Sequence, residues 1–273
     1  MSAEGTALAP GPPKLELRGV SKRFESAGRE VLALEDVRLR VAEGEFVCLV
    51  GPSGCGKSTL LNLVAGLEFP DRGEVLVDGA PVAGPGPERT VLFQDAALFP
   101  WLSAIGNVRF GLRLRAEVPK AEREERARAL LERVGLGEFL HASVHELSGG
   151  MRQRVALARA LTAEPTILLM DEPFAALDAL TREQFYGDLQ RLWQRSRRTI
   201  VLVTHNVREA VCLGDRVVLL SARPGRVCEE FGVDLPRPRD FNQVEIAEVA
   251  GRILRTLKSH LAREDGGPEP AAP

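Results

Sequence analysis

The stretch LVGPSGCGKSTL, from Leu49 to Leu60, places three glycines and a lysine directly after a short apolar run. Gly51, Gly56, Lys57 and Ser58 satisfy the spacing GxxxxGK[ST], with a buried-strand pattern before and an apolar helical pattern, LLNLVAGL, after. Glycines let backbone N–H groups curl around phosphate oxygens with no Cβ in the way, and a helix N-terminus adds partial positive charge. Gly51, Pro52, Ser53, Gly54, Cys55, Gly56, Lys57, Ser58 and Thr59 are therefore read as a phosphate cradle. Lys57 would reach the β- and γ-phosphates, and the Ser58 hydroxyl would ligate Mg²⁺. A Gly-rich strand-to-helix turn with no ligand is the plainer alternative.

TILLMDEP repeats the logic with acids. A strand ending in carboxylates sets Asp171 beside a nucleotide at the carboxyl edge of a sheet, where it can hold Mg²⁺ through water, and makes Glu172 a candidate general base for an attacking water. An N-cap or a solvated acid pair is the competing reading. In LSGGM, Ser148, Gly149 and Gly150 precede a helical pattern, RQRVALARAL, which makes a second anion-binding helix start; alone, Ser-Gly-Gly is an ordinary cap with a glycine hinge.

These groups need a sheet to position them. LELRGV (Leu15 to Val20), VLALEDVRLRV (Val31 to Val41) and EVLVDG (Glu74 to Gly79) alternate apolar and polar residues, which predicts half-buried antiparallel strands. FVCLV (Phe46 to Val50), TILLM (Thr166 to Met170) and TIVLVT (Thr199 to Thr204) are continuous apolar runs, as in strands covered on both faces, and predict a parallel core sheet. KAEREERARALLERV reads as a solvent-facing helix and MRQRVALARAL as a more buried one. From about Asp95 to Glu146 no core strand is legible, so a helical insertion is expected there. A further strand is expected after Cys228, then a helix from about Phe241 to Ala262.

Composition narrows the class. The 273 residues are 44% hydrophobic, enough for a sizeable core. Lys plus Arg number 36 against 38 Asp plus Glu, and this balance offers no global field for a polyanion, so no nucleic-acid partner is expected. Cys48, Cys55, Cys212 and Cys228 form no CxxC pair, which reads as reduced thiols in the cytosol. No apolar stretch approaches the ~18 to 20 residues of a membrane span, and MSAEGTALAPGPP lacks the pattern of a signal peptide.

The ordered motifs resemble the ATP-binding cassette (ABC) family of transporter ATPases from Lys14 to about Val233: Walker A at Gly51 to Ser58, the signature at Leu147 to Met151, Walker B at Ile167 to Asp171 with Glu172, AALD at Ala175 to Asp178, and His205 in VTHN. The resemblance implies an α/β P-loop NTPase (ABC ATPase) core with a parallel sheet, an antiparallel β-subdomain and a helical subdomain insertion. Residues 1–13 would be a disordered tail, 14–240 the ATPase domain with the helical subdomain at about 95–160, 241–265 a C-terminal helix, and 266–273 a second tail. It also implies ATP and Mg²⁺ as ligands and a second ATP-binding subunit, as in a homodimer. Each ATP would lie between one chain's Walker A and its partner's Ser148, Gly149 and Gly150, with Asp178 near the seam. By the same resemblance Glu172, His205, Gln94 and Lys57 carry catalysis, and Ser58, Gln94 and Asp171 hold the metal. Gln94 ends the strand-like RTVLF and would sense Mg²⁺ and the attacking water, while His205 would contact the γ-phosphate. Phe24 stands where the family more often has the tyrosine that stacks on adenine; a core Phe is the competing reading. Met151 replaces the commoner Gln, and Asn206 the commoner Asp.

With no span in the chain, a pore must be another polypeptide, so the resemblance implies transmembrane permease subunits, a periplasmic or extracellular solute-binding protein, and a cytoplasmic chain peripheral on the cytoplasmic face of the membrane. Phe99, Trp101 and Leu102 in ALFPWLSAIGNV form a candidate permease-docking patch, or the insertion's own core. LFPWL, SARPGRV and DLPRPRD are similar to the nitrate, sulfonate and taurine importer branch. A non-transport ABC protein controlling interactions through nucleotide is the rival reading, and a P-loop kinase a third. Trp193, Tyr186 and Leu189 are read as packing, Arg195, Arg197 and Arg198 as a solvated helix end, and His141, His145 and His260 as lacking chemical partners. A thiol reagent on Cys55 is expected to block nucleotide binding.

Overall fold

A computed structural model describes residues 12–26 and 28–264. Most of the first expected tail and all of the second lie outside the described residues. In chain order the elements are β1 (Leu15–Ser26), β2 (Arg29–Val41), β3 (Phe46–Val50), α1 (Lys57–Ala65), β4 (Arg72–Val77) and β5 (Ala80–Pro81); then β6 (Arg89–Leu92), α2 (Ala104–Arg113), α3 (Arg123–Arg133), α4 (Gly149–Leu161), β7 (Ile167–Asp171) and α5 (Ala179–Ser196); then β8 (Thr199–Thr204), α6 (Val207–Leu213), β9 (Arg216–Leu220), β10 (Val227–Gly232) and α7 (Val244–Glu264). They pack as two compact units, one of described residues up to Pro85 and from Thr199 onward, the other of Gly86–Arg198.

In the first unit, β3 runs parallel to β8 on one side and to β9 on the other, and β10 pairs antiparallel with β9. Every residue of β3, β8 and β9 is buried, which is why these segments read as unbroken apolar runs rather than alternating ones. A second, antiparallel sheet has the order β2, β1, β4, β5; β2 alternates buried Val37, Leu39 and Val41 with exposed Arg38 and Arg40, because only one of its faces meets the core.

Sequence patterning missed β9. Its run RVVLL sits beside β3, so the phosphate-loop strand is flanked on both sides. The DLPRPRD segment acquires a structural role. Arg239, only 4% exposed, donates to the carbonyls of Val211 (2.8 Å), Gly214 (2.6 Å) and Val233 (2.9 Å), while Arg237 donates to Leu213 O and pairs with Asp215. The two guanidiniums thus satisfy carbonyls at the C-terminal end of α6, where positive charge is also favoured by the helix dipole. Burial, then the neighbouring Arg237, pushes the Arg239 pKa down to about 10. His260, expected to stand alone, has its Nε2 3.6 Å from Glu229.

In the second unit, β6 and β7 pair in parallel, with Val91 opposite Leu169. Of the helices, α3 buries only Ala127 and Leu131, whereas α4 buries Val155, Ala156, Leu157, Ala158, Ala160 and Leu161. On α5, Tyr186, Leu189 and Trp193 are buried as packing residues, and Phe174 meets the rings of Phe185 and Tyr186 edge-on at 5.2 and 5.0 Å. The fully buried Asn107 shapes the LFPWL loop: its Oδ1 accepts from Phe99 N (2.8 Å), and its Nδ2 donates to Phe99 O (3.2 Å) and Ser103 O (3.1 Å).

Candidate nucleotide-binding site

In the first unit the chain leaves the carboxyl end of β3 at Gly51 and enters α1 at Lys57. Gly56, the N-cap of α1, has φ 96° and carries no side chain to cap the first N–H groups of the helix. A Cβ on Gly56 would lie 2.7 Å from Leu34 Cδ2 and 2.8 Å from Ala33 O, so both the dihedral and the contact with β2 require glycine. The Lys57 ammonium folds back over the loop and donates to Gly51 O and Pro52 O, each at 2.9 Å. Pro52 and Thr59 are half-buried; Ser53, Gly54 and Ser58 are exposed along the same loop and helix start. The backbone geometry fits a polyphosphate: uncapped donors, a glycine no other residue can replace, and a lysine held at the rim.

Cys55 is only 1% exposed, and burial raises its pKa despite the Lys57 charge beside it. This conformation therefore shields the thiol, so a reagent that is to act on the loop through Cys55 must first reach a buried group.

His205 follows β8 and is exposed on a tight corner. Asn206 caps α6, its Oδ1 accepting from Arg208 N (3.0 Å) and Glu209 N (3.2 Å). Thr204 Oγ1 accepts from Asn206 N and donates to Glu209 Oε2, both at 3.0 Å. Asparagine at 206 thus does the capping work of an aspartate. Phe24, on β1 opposite Val31, is half-buried and outside the hydrophobic core, with the Lys22 ammonium 5.2 Å from its ring centroid.

In the second unit, Gln94, Asp171 and Gly149 line one cavity of about 520 Å³ together with Phe93, Gln153 and Arg152. Asp171 ends β7 half-buried, and Glu172 follows with φ 43°, a left-handed conformation that costs a non-glycine residue strain. Ser148 caps α4, its Oγ accepting from Met151 N at 3.2 Å. The two glycines differ. Gly149 is partly exposed with ordinary room around it, whereas a Cβ on buried Gly150 would lie 2.0 Å from Thr181 Cγ2, so Gly150 is needed for packing against α5. Asp178 caps α5 by accepting from Thr181 N at 3.0 Å; the Thr181 hydroxyl and then its N–H hold the carboxyl below the usual carboxylate range.

Sequence reasoning overlooked Gln153. It donates from Nε2 to Gln94 O at 2.5 Å from inside α4, and the only signal for it was a polar residue on a mostly apolar helix face.

A parallel strand that turns through a lysine-clasped, glycine-dependent loop into an uncapped helix start defines the P-loop nucleotide-binding class. Residues 34–175 match the ABC transporter family. The taurine import ATP-binding protein TauB of Pseudomonas aeruginosa is 47% identical over 246 residues, 90% of each chain. The nitrate transport protein NasD of Klebsiella oxytoca is 48% identical over 86% of this chain and 90% of that one. A solved dimeric ATP-binding cassette, in a post-hydrolysis state with ADP and Pi, superposes with a TM-score of 0.72 at 34% identity, covering 81% of this chain and 100% of that one. The chain belongs to the ABC transporter family and is an ABC-transporter ATPase. No helix among the described residues is long and apolar enough to cross a membrane.

Proposed function

We propose that this chain is the ATP-hydrolysing subunit of a bacterial-type importer that takes up a small anion such as nitrate, an aliphatic sulfonate or taurine. The observation that carries the reading is the uncapped, lysine-clasped phosphate loop in a chain nearly half identical to a taurine import ATP-binding protein and to a nitrate transport protein. Lys57 and the loop amides stabilise phosphate charge, and Ser58, Gln94 and Asp171 are the metal-side groups; a hydroxyl, an amide and one carboxylate are the sparse oxygen set that suits Mg²⁺ already bound to phosphates. Glu172 takes the proton of the attacking water, His205 and Gln94 orient the reacting end, and Phe24 offers a ring to adenine. Gly51, Pro52, Ser53, Gly54, Cys55, Gly56 and Thr59 complete the cradle. Ser148, Gly149, Gly150 and Asp178 serve the ATP of a second copy; the related cassette is itself dimeric.

The permease contact falls on a groove of about 610 Å³ lined by Phe93, Phe99, Phe110, Leu114, Ala156 and Ala160. Trp101 next to it is 76% exposed, with its ring 5.5 Å from Phe99, which favours a docking role over an internal core for that tryptophan. In this role the chain works at the cytoplasmic face of the membrane, with an extracytoplasmic solute-binding protein delivering the anion.

The test is reconstitution with candidate permease and solute-binding proteins. ATP-dependent uptake of labelled taurine, an alkanesulfonate or nitrate is expected; uptake of none of them by a complex that hydrolyses ATP overturns the solute class. A complex without ATP turnover overturns the ATPase role.

A further inference from the structure

The six-residue turn between β9 and β10, SARPGR, has no part in the roles assigned above, yet it is built against the phosphate loop. Within the turn, Ser221 Oγ accepts from Arg226 N (2.8 Å) and donates to Pro224 O (2.7 Å), and Ser221 N donates to Arg226 O (2.9 Å). The turn is tied to β2 on both sides of Leu34: Gly225 N donates to Ala33 O (2.9 Å), and Glu35 N donates to Gly225 O (3.0 Å). Arg226 pairs with Glu35 as well. The same Ala33 and Leu34 contact Gly56, so one short segment of β2 supports both the turn and the loop.

Two contacts then join turn and loop directly. The Arg223 guanidinium donates from Nε to Gly54 O at 3.2 Å. Gly225 lies so close to the Cys55 carbonyl that a Cβ there would be 2.1 Å from its oxygen. The carbonyls of Gly54 and Cys55 therefore both face the turn. In a trans peptide the N–H points opposite to its C=O, so holding these carbonyls outward aims the N–H groups of Cys55 and Gly56 away from the turn. The Cys55 N–H donates to Pro52 O at a long 3.3 Å. No carboxylate among the described residues pairs with Arg223, so its charge is not neutralised at the loop.

We infer that the turn is an outer brace of the phosphate loop and that Arg223 is a positioning residue for nucleotide binding. It fixes the Gly54–Cys55 peptide and adds positive charge beside the site that takes the polyphosphate of a nucleoside triphosphate. This rests on the reading of Gly51 to Thr59 as the phosphate cradle.

The experiment compares wild type, Arg223→Gln, Arg223→Lys and Lys57→Ala in the full chain, by titration with a fluorescent ATP analogue and by steady-state ATP turnover. Arg223 is exposed, so the glutamine variant is expected to fold with an unchanged melting temperature. Its nucleotide Kd and KM are expected to rise roughly three- to tenfold, the effect of one exposed charge-assisted bond, with kcat within twofold. Lysine, which keeps the charge but not the planar Nε donor, is expected to restore part of the affinity. Affinity loss that tracks a lowered melting temperature, or wild-type affinity in Arg223→Gln while Lys57→Ala binds poorly, overturns the brace alone. Unchanged affinity in Lys57→Ala overturns the cradle and the brace with it.

Discussion

The Gln153 side chain, rooted in α4 five residues after the Ser148 cap, donates to the backbone carbonyl of Gln94 across 2.5 Å. The helix that begins at the signature thus holds the backbone of the residue read as the sensor of metal and water. The other side-chain atom, Gln153 Oε1, is buried without a hydrogen-bond partner among the described residues, so the amide is oriented by this single bond. Gln153→Met keeps the shape and removes the donor. The expected outcome is a folded protein within about 1 kcal/mol of wild-type stability, with kcat lowered roughly three- to tenfold and KM little changed. Urea denaturation and steady-state kinetics check it.

Glu172→Gln is expected to keep ATP binding and to lose on the order of 10² to 10⁴ in turnover, the range for removal of a general base. Near-normal hydrolysis removes Glu172 from that role.

Lys57→Ala acts earlier. The ammonium clasps the Gly51 and Pro52 carbonyls, so its removal takes away the tie across the loop and, on the proposed function, a phosphate ligand. Nucleotide affinity is expected to fall at least roughly tenfold, the effect of losing a charge-assisted contact, as read by equilibrium titration.

The four thiols should react unequally. Burial raises Cys55, raises Cys48 well above the ordinary thiol value, and pushes Cys212 up to about 12, while Cys228 is half-buried. A raised pKa means less thiolate at a given pH, so alkylation at pH 8 is expected to label Cys228 first and leave nucleotide binding intact. Mass spectrometry of labelled peptides decides it; early labelling of Cys55 with loss of binding refutes the shielding.

Asp178 links stability to pH. Its carboxyl is held below the usual value by Thr181, so the stabilisation is present above the unfolded-state pKa near 3.8 and disappears as pH falls through the lower folded-state value. Asp178→Ala is expected to melt at a lower temperature than wild type at pH 7, with the gap closing in strong acid. A gap independent of pH rules out the cap as its cause.

The cradle, the acidic strand end and the signature were legible in the sequence because each depends on local backbone geometry: a glycine at positive φ, a cap, a strand end. FVCLV, TILLM and TIVLVT likewise announced buried strands, since coverage on both faces removes alternation. RVVLL of β9 carried the same pattern, but its place beside β3 follows from pairing between residues far apart in the chain. Only the tertiary structure separated Gly150, needed by Thr181, from Gly149; buried Cys55; turned Arg237 and Arg239 into caps for α6; and brought Arg223 and Gly225 onto the phosphate loop. Spacing along a chain encodes what a residue's own backbone can do, whereas these roles depend on which distant surface folds against it, and that is set by packing of the whole unit.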